Sequence, residues 1–167
     1  MALIIEAPHE IYSVENNTNV KMFLAGGITN CPDWQKYVID ELKDISNLTI
    51  YTPRRKNFSI NDPKATEEQI TWEFQKLKDA NLVFFWFSRG SLNPIVLYEL
   101  GMWCNSMDRP AIVGTDPEYE RKQDVIIQTK LARPEIQIYD SIQDMIDEVK
   151  YIFSEYDVNK NNYNNEL

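Results

Sequence analysis

Residues 82–87 read LVFFWF, six apolar side chains in a row between Asn81 and Ser88. A short apolar run closed by polar residues is typical of a strand that is buried on both faces of a sheet. Similar runs lie on either side of it, at residues 21–25 (KMFLA), 48–52 (LTIYT) and 111–113 (AIV), with a weaker one at 136–139 (IQIY). We therefore expect five parallel strands with both faces of the sheet covered.

Helical patterns alternate with these strands. A helix over residues 34–42 follows Cys-Pro-Asp, and a helix opened by Asn93-Pro94, with Asn93 as N-cap, runs through Asn105. Three more are expected over residues 65–79, 121–131 and 141–153. Their expected core faces are Ile70, Phe74 and Leu77 in one helix, and Ile142, Met145, Ile146, Val149 and Ile152 in the last.

This alternation predicts an α/β fold, a flavodoxin-like or Rossmann-like three-layer sandwich. Ligands of such folds bind beyond the carboxyl ends of the strands, where the strand order reverses. The 167 residues suffice for one domain, expected over residues 20–156. Residues 1–19 form an extension with a possible edge strand at Leu3–Glu6, and residues 157–167 a polar tail that we do not expect to pack.

Composition excludes several kinds of site. His9 is the single histidine, and Cys31 and Cys104 are the two cysteines, so neither a two-histidine metal motif nor a disulfide framework can form within the chain. The net charge of −9 disfavours binding to a nucleic-acid polymer. No apolar run approaches the roughly 18 residues of a membrane span, and residues 1–10 lack the basic start of a signal peptide. We therefore expect a cytoplasmic protein whose chemistry depends on carboxylates, amides and hydroxyls.

Glu99 is the first catalytic candidate. It is the only charged residue between Leu92 and Cys104, and its neighbours one helical turn away are apolar. One interpretation is a glutamate that reaches solvent at a helix edge or pairs with a buried partner. The other is a carboxyl group in an apolar pocket, where desolvation raises its pKa. Gly101 would remove side-chain bulk beside it.

Two further features are candidates at the same edge of the sheet. Glu73 lies at the edge of a helix, where it is either a solvated surface residue or a second acid for the site. Gly26 and Gly27, followed by Ile28, end the first core strand without the third glycine of a dinucleotide-binding loop. They form either a simple tight turn or a place where a ligand approaches the backbone N–H groups.

Five segments together resemble one enzyme family. They are FLAGGITNCPDWQ (23–35), YTPRR (51–55), TWEFQKLKDANLVFFWF (71–87), VLYELG (96–101) and VGTDPEYERKQDV (113–125). Their order and spacing resemble nucleoside 2-deoxyribosyltransferases, and in particular the deoxyribosyltransferase-like branch found in bacteria and phages. The resemblance extends from about Val20 to Gln128.

The resemblance implies a role for each acid. Glu99 matches the nucleophile that attacks C1′ of the sugar and holds it as an ester, and Glu73 matches the acid that serves the departing or incoming base. Asp124 matches a residue that reaches a neighbouring subunit's site and binds the sugar hydroxyls, which implies a homo-oligomer. Asn93 stands where transferases often carry a second Asp, and Met22 where some carry a tyrosine. These departures leave open whether the sugar passes to a base or to water.

The same resemblance suggests further contacts with a small nucleoside or nucleotide. Phe23, Trp34 and Trp72 are either core residues, the more usual case, or rings that stack on the base. Arg54 or Arg55 is a candidate for binding a 5′-phosphate, or else a surface arginine. The implied chemistry needs no metal and no organic cofactor.

The expected function is cleavage of the N-glycosidic bond of a (deoxy)nucleoside or its 5′-monophosphate through a glycosyl ester on Glu99. The sugar then passes to another base or to water. One alternative is a catalytically weak or inactive nucleotide-binding module on the same fold. Another is an enzyme similar to NAD glycohydrolases, which also depend on a single glutamate.

Overall fold

The structure is a computed structural model that describes residues 1–9, 19–55, 62–106 and 108–164, with side chains as far as residue 155. Six parallel strands form one sheet in the order β1-β3-β2-β4-β5-β6. They are β1 (Leu3–Glu6), β2 (Val20–Gly26), β3 (Leu48–Thr52), β4 (Leu82–Phe87), β5 (Ala111–Thr115) and β6 (Ile138–Tyr139). The expected α/β class is confirmed. The sheet has one strand more than the five predicted, because the possible edge strand β1 does pair with β3.

Five helices connect or follow the strands. They are α1 (Trp34–Leu42), α2 (Pro63–Asp79), α3 (Pro94–Cys104), α4 (Lys122–Ala132) and α5 (Ile142–Asn164). The carboxylate of Asp33 caps α1 by accepting the Lys36 N–H at 3.1 Å. Helix α5 continues to Asn164, eleven residues beyond its expected end at Phe153. Among the described residues, no helix is both long and apolar enough to cross a membrane.

The helices cover both faces of the sheet, as a three-layer fold requires. One core contains apolar side chains of α2, α3 and α4, namely Trp72, Leu77, Val96, Leu100, Trp103 and Val125. The other contains those of α1 and α5, including Trp34, Val38, Leu42, Met145, Ile146 and Val149. The sheet thus lies between two helical layers, each of which packs apolar side chains against it.

Two of the expected core faces are wrong in part. Ile70 and Phe74 of α2 are 62% and 58% exposed, whereas Trp72 and Leu77 are buried. Helix α2 carries two apolar sets on different faces, and the larger indole of Trp72 packs against Phe23 and Tyr51. In α5, Ile152 is 40% exposed, and Phe153 beside it is buried instead.

The strand order reverses between β2 and β4, the two central strands. From β2 the chain goes to β3 on one side, and β4 then pairs with the other edge of β2. The loops that follow β2 and β4 therefore diverge above the sheet and leave a cleft between them, the usual ligand site of such folds. Gly26 and Gly27 lie on one side of this cleft, and the segment 88–93 lies on the other.

Candidate active site

A cavity of about 250 Å³ occupies the cleft beyond the ends of β2 and β4. Its walls come from β2 and the loop after it, from α2, and from the first turns of α3. The lining residues are Phe23, Ala25, Gly26, Gly27, Ile28, Thr29, Pro53, Glu73, Ser91, Asn93, Pro94, Ile95, Val96 and Glu99. The structure therefore brings both predicted acids, Glu73 and Glu99, into one small cavity.

Glu99 lies on the cavity side of α3 and is only 8% exposed. Burial raises the pKa of its carboxyl group to about 8, and the nearby charge of Glu73 acts in the same direction. Within the described part of the chain its carboxylate accepts no hydrogen bond and forms no ion pair. Its position agrees with a carboxyl group in an apolar pocket rather than with a side chain that reaches solvent.

Glu73 has partners that Glu99 lacks. Burial raises the pKa of Glu73, while a hydrogen bond from Gln69 and the charge of Arg55 act against that rise. The Gln69 Nε2 atom lies 2.6 Å from Glu73 Oε1 and 2.8 Å from the Pro53 carbonyl oxygen. Gln69 was missed at the sequence level, because a glutamine four residues before a glutamate on a helix is an ordinary surface pattern.

Gly26 and Gly27 allow protein groups to pack closely behind the cavity. A Cβ atom on Gly27 would lie 2.1 Å from Asn93 Oδ1 and 2.4 Å from Cys31 Sγ, and one on Gly26 would lie 2.3 Å from the Trp34 ring. Any side chain at either position would collide with these groups. The tight packing accounts for both glycines, and the approach of a ligand to their N–H groups stays a prediction.

Asn93 joins the two sides of the cleft. It is buried and adopts the left-handed conformation (φ 48°) immediately before α3. Its Nδ2 atom donates to the Ser88 carbonyl oxygen at 3.3 Å, and its Oδ1 atom lies 3.8 Å from Cys31 Sγ. The expected N-cap position is correct, but the side chain makes no cap hydrogen bond to α3. It holds the loop before the helix instead.

A family model described as nucleoside 2-deoxyribosyltransferase like matches residues 19–119. The chain belongs to this family. The match includes β2, the cavity loops, and both Glu73 and Glu99. A search of curated proteins finds no match.

Two solved structures show likeness to this member of the nucleoside 2-deoxyribosyltransferase-like family. A conserved protein from Enterococcus faecalis V583 is 14% identical, covers 80% of this chain and 98% of its own, and has a TM-score of 0.56. A 2-deoxyribosyltransferase from the psychrotolerant bacterium Bacillus psychrosaccharolyticus is 18% identical, covering 57% of this chain and 72% of its own, with a TM-score of 0.47. At these identities, the likeness to the Enterococcus protein shows a shared fold.

The two tryptophans considered either as core residues or as stacking rings do not line the cavity of this family member. Trp34 is buried, stacks on Phe84, and donates its indole N–H to the Gly27 carbonyl oxygen at 3.0 Å. Trp72 is buried and donates to the His9 carbonyl oxygen at 3.0 Å. Both rings are core residues, because their faces and N–H groups are already occupied. Phe23 and Ile28 do line the cavity.

Arg54, a candidate for binding a 5′-phosphate, contacts the loop after β2, and its binding of a phosphate stays a prediction. Its guanidinium donates to Gln35 Oε1 at 2.9 Å and lies 3.3 Å from the carboxylate of Asp33. It also donates to the carbonyl oxygens of residues 28, 31 and 32 at 3.2, 3.4 and 3.0 Å. Gln35 is buried and donates in turn to the Gly27 carbonyl oxygen at 3.4 Å. The guanidinium is thus engaged in fixing one wall of the cavity.

The remaining predicted residues lie elsewhere. Asp124 pairs with Arg121 at 2.9 Å and lines a second cavity of about 620 Å³ between α3 and α4. Met22 is fully buried within β2. Gly101 faces the second cavity, and a Cβ atom there would meet nothing within 4 Å. The expectation that Gly101 makes room beside Glu99 is therefore wrong, since Gly101 lies on another face of α3.

Within the described ranges, no three His, Cys, Asp or Glu side chains are grouped closely enough to hold a metal ion. The polar side-chain groups among the described residues that line the cavity are two carboxyls, the Asn93 amide and the hydroxyls of Thr29 and Ser91.

Proposed function

We propose that this protein cleaves the N-glycosidic bond of a (deoxy)nucleoside or its 5′-monophosphate through a covalent ester on Glu99. The observation that carries the proposal is that Glu73 and Glu99 line the same small cavity but have different surroundings. Glu99 is buried and has no hydrogen-bond or ion-pair partner in the part of the chain that the structure describes, whereas Glu73 is hydrogen-bonded. Membership of the nucleoside 2-deoxyribosyltransferase-like family supports a nucleoside as the substrate.

The proposed reaction uses one proton held by the two carboxyls. As Glu99 passes its proton to Glu73, its oxygen attacks C1′ and the C1′–N bond breaks, with the electron pair leaving on the base nitrogen. Glu73 then gives the proton to that nitrogen. The sugar passes through an oxocarbenium-like state, which a carboxylate stabilises and traps as an ester. Attack on C1′ by a second base or by water releases the sugar and restores Glu99.

The decisive experiment is incubation with a panel of deoxynucleosides and their 5′-monophosphates, with and without a free acceptor base, followed by chromatography. We expect base exchange or base release from the wild type and at least a 1000-fold loss in Glu99→Gln, on the order of the effect of removing a nucleophile. Glu67→Gln, an exposed glutamate on α2, is the matched control.

Mass spectrometry then locates the intermediate. A peptide containing Glu99 should gain one deoxyribosyl unit when the substrate is added without an acceptor. If Glu99→Gln turns over substrate like the wild type, the mechanism is wrong. Stabilisation of the protein by nucleotides without any turnover would favour a binding module, since a ligand of the native state raises its apparent stability.

We also propose that the chain assembles as a homo-oligomer through the layer formed by α2, α3 and α4. Large apolar side chains are exposed on this layer, namely Ile70, Phe74, Leu92, Ile95, Tyr98, Met102, Ile127 and Leu131. Several large apolar side chains exposed on one layer of a protein often mark an interface. Asp124 lies on α4 of the same layer, which supports a position near a neighbouring subunit.

A further inference from the structure

Gln69 connects the end of β3 to one of the two acids in the cavity. Its Nε2 atom lies 2.8 Å from the Pro53 carbonyl oxygen and 2.6 Å from Glu73 Oε1. A carbonyl oxygen can only accept a hydrogen bond, so the atom facing Pro53 must be the amide nitrogen. Both hydrogens of that nitrogen are then used, one for each partner. The side chain is thereby fixed at both ends.

We propose that Gln69 is a positioning residue that holds Glu73 as the ionised member of the carboxyl pair, so that the pair's single proton rests on Glu99. The catalytic consequence rests on the proposed function. The resting position of the proton does not, because it follows from the contacts of the two carboxyls in the free protein.

The opposite amide orientation is disfavoured by the same contacts. Turning the amide over would place its oxygen against two acceptors, the Pro53 carbonyl and the Glu73 carboxylate. In the observed orientation, the Gln69 Oε1 atom is buried and finds no hydrogen-bond partner among the described residues. In this orientation both N–H groups of the amide donate hydrogen bonds, while its oxygen accepts none among the described residues. A donated hydrogen bond favours the ionised form of a carboxyl group.

The charges around the two acids favour the same distribution of the proton. Glu73 faces Arg55 from the segment after β3, Gln69 on its own helix and Glu99 from α3. Glu99 faces the Glu73 carboxyl, and among the described residues that line the cavity no cation accompanies it. Two neighbouring carboxylates in a buried site repel each other and lose their solvation, so one of the two carboxyls takes up a proton. Of the two carboxyls, Glu99 is the one that neither a hydrogen-bond donor nor a cation contacts within the described ranges.

In this arrangement Glu73 passes the proton from Glu99 to the departing base and does not carry it in the resting protein. Because the Gln69 hydrogen bond and Arg55 favour its ionised form, Glu73 accepts the proton of Glu99 only transiently and donates it readily to the departing base. The Pro53 anchor also fixes the direction of the Glu73 carboxylate relative to the strand ends, and so relative to a bound sugar.

The test is a carboxyl titration of the free protein by NMR, with ¹³C-labelled glutamate and assignment through Glu73→Gln and Glu99→Gln. In the wild type, we expect the Glu73 carbon to titrate at a lower pH than the Glu99 carbon. If Glu73 titrates at the same pH as Glu99 or above it, the proposal is wrong. This measurement needs no variant of Gln69 and therefore holds even if such a variant fails to fold.

The second arm compares Gln69→Met with Gln75→Met, an exposed glutamine on the same helix. Methionine keeps the length of the side chain and removes both donors. We expect Gln69→Met to raise the Glu73 midpoint by at least about half a pH unit and to lower the Glu99 midpoint. The control should move neither. A purely structural role would not shift the two midpoints in opposite directions, and an unchanged pair of midpoints in Gln69→Met would overturn the proposal.

The two proposals fail in different ways. If the midpoints behave as expected but no nucleoside is cleaved, the proposed function is wrong and the role of Gln69 in the carboxyl pair stands. If nucleosides are cleaved through Glu99 but the midpoints do not respond to Gln69→Met, the reverse holds.

Discussion

Glu99 combines two properties that a buried acid rarely shows together. It lies in an apolar wall, and it has no hydrogen-bond donor in the described part of the chain to stabilise its charge. Burial raises the pKa of the carboxyl to about 8, with the charge of Glu73 acting in the same direction, so the neutral form prevails at pH 7. A nucleophile in this state needs a partner that accepts its proton, and Glu73 is the acid that shares the cavity.

The pH dependence of catalysis follows from this shared proton. With one proton on the pair, the leaving base can be protonated, and above a pH of about 8 that last proton is lost. We expect kcat/KM for a deoxynucleoside to fall about tenfold per pH unit above pH 8, and to fall again at low pH, where Glu73 becomes protonated and can no longer accept the proton of Glu99. A rate that climbs through pH 8 instead would mean that the attack needs no proton from the pair.

Stability depends on pH through the same group. The pKa of Glu99 is raised above its ordinary value of 4.5, so its contribution to stability is present in full below that pH and is lost as the pH rises towards 8. Glu99→Gln cannot ionise and avoids this loss. We expect it to raise the free energy of unfolding by about 2 to 4 kcal/mol at pH 8, and by little at pH 4.5.

Urea denaturation of wild type and Glu99→Gln at the two pH values measures this difference, with Glu67→Gln as the control. Equal gains at pH 4.5 and pH 8 would show that packing rather than ionisation is responsible.

The loop between β2 and α1 is held from behind by side chains that do not touch the cavity. Arg54 donates to three of its carbonyl oxygens, and Gln35 and Trp34 both donate to the Gly27 carbonyl oxygen. Gly27 also has no room for a side chain, because Asn93 and Cys31 lie against it. The shape of this wall is therefore fixed by hydrogen bonds and by close packing.

Arg54→Ala distinguishes a support for the loop from a phosphate ligand. If the guanidinium mainly holds the loop, kcat/KM should fall about 10- to 100-fold for nucleosides and for 5′-monophosphates alike, because the cavity wall is displaced. A loss confined to the monophosphates would instead establish Arg54 as a phosphate ligand. Arg89→Ala, which removes an exposed arginine paired with Glu118, is the control and should change neither rate.

Gly27→Ala tests the packing between the two loops. The added methyl group would lie 2.1 Å from Asn93 Oδ1, and we expect a loss of about 1 to 3 kcal/mol in the free energy of unfolding. Gly101→Ala is the matched substitution, since its methyl group meets nothing within 4 Å and lies in a helix. It should leave stability unchanged or raise it by up to about 1 kcal/mol. Thermal unfolding of both variants measures the contrast, and equal effects would contradict the packing argument.

The whole chain presents two unlike helical layers. Helices α2, α3 and α4 expose seven large apolar side chains, and Leu92 before α3 is exposed as well, whereas the described side chains of α1 and α5 expose Tyr37, Tyr151 and Ile152. If the first layer is an interface, the double variant Phe74→Lys and Leu131→Lys should yield monomers in sedimentation experiments. Ile152→Lys, on the opposite layer, should leave the mass unchanged. A wild type that sediments as a monomer would refute the proposed assembly.

Sequence patterns predicted the architecture well because buried parallel strands are continuous apolar runs, and the runs at 48–52 and 82–87 match β3 and β4 residue for residue. The patterns failed where a helix has two apolar faces, as in α2, because the sequence does not indicate which face packs against the sheet. Glu99 was visible because it is isolated among apolar residues. Gln69 and the support role of Arg54 were not, because both depend on backbone carbonyl groups, which carry no sequence signal.

The pairing of β1 with β3 also bears on how the chain is made. Leu3 lies opposite Thr49, which is 46 positions further along the chain. In the described part of the sheet, β1 pairs with β3 alone. At a synthesis rate of about 5 to 20 residues per second, β3 emerges about 2 to 9 s after β1. During translation, the apolar segment Leu3–Ile5 therefore has no strand to pair with for several seconds. Chaperones that bind nascent chains have their longest opportunity at this segment.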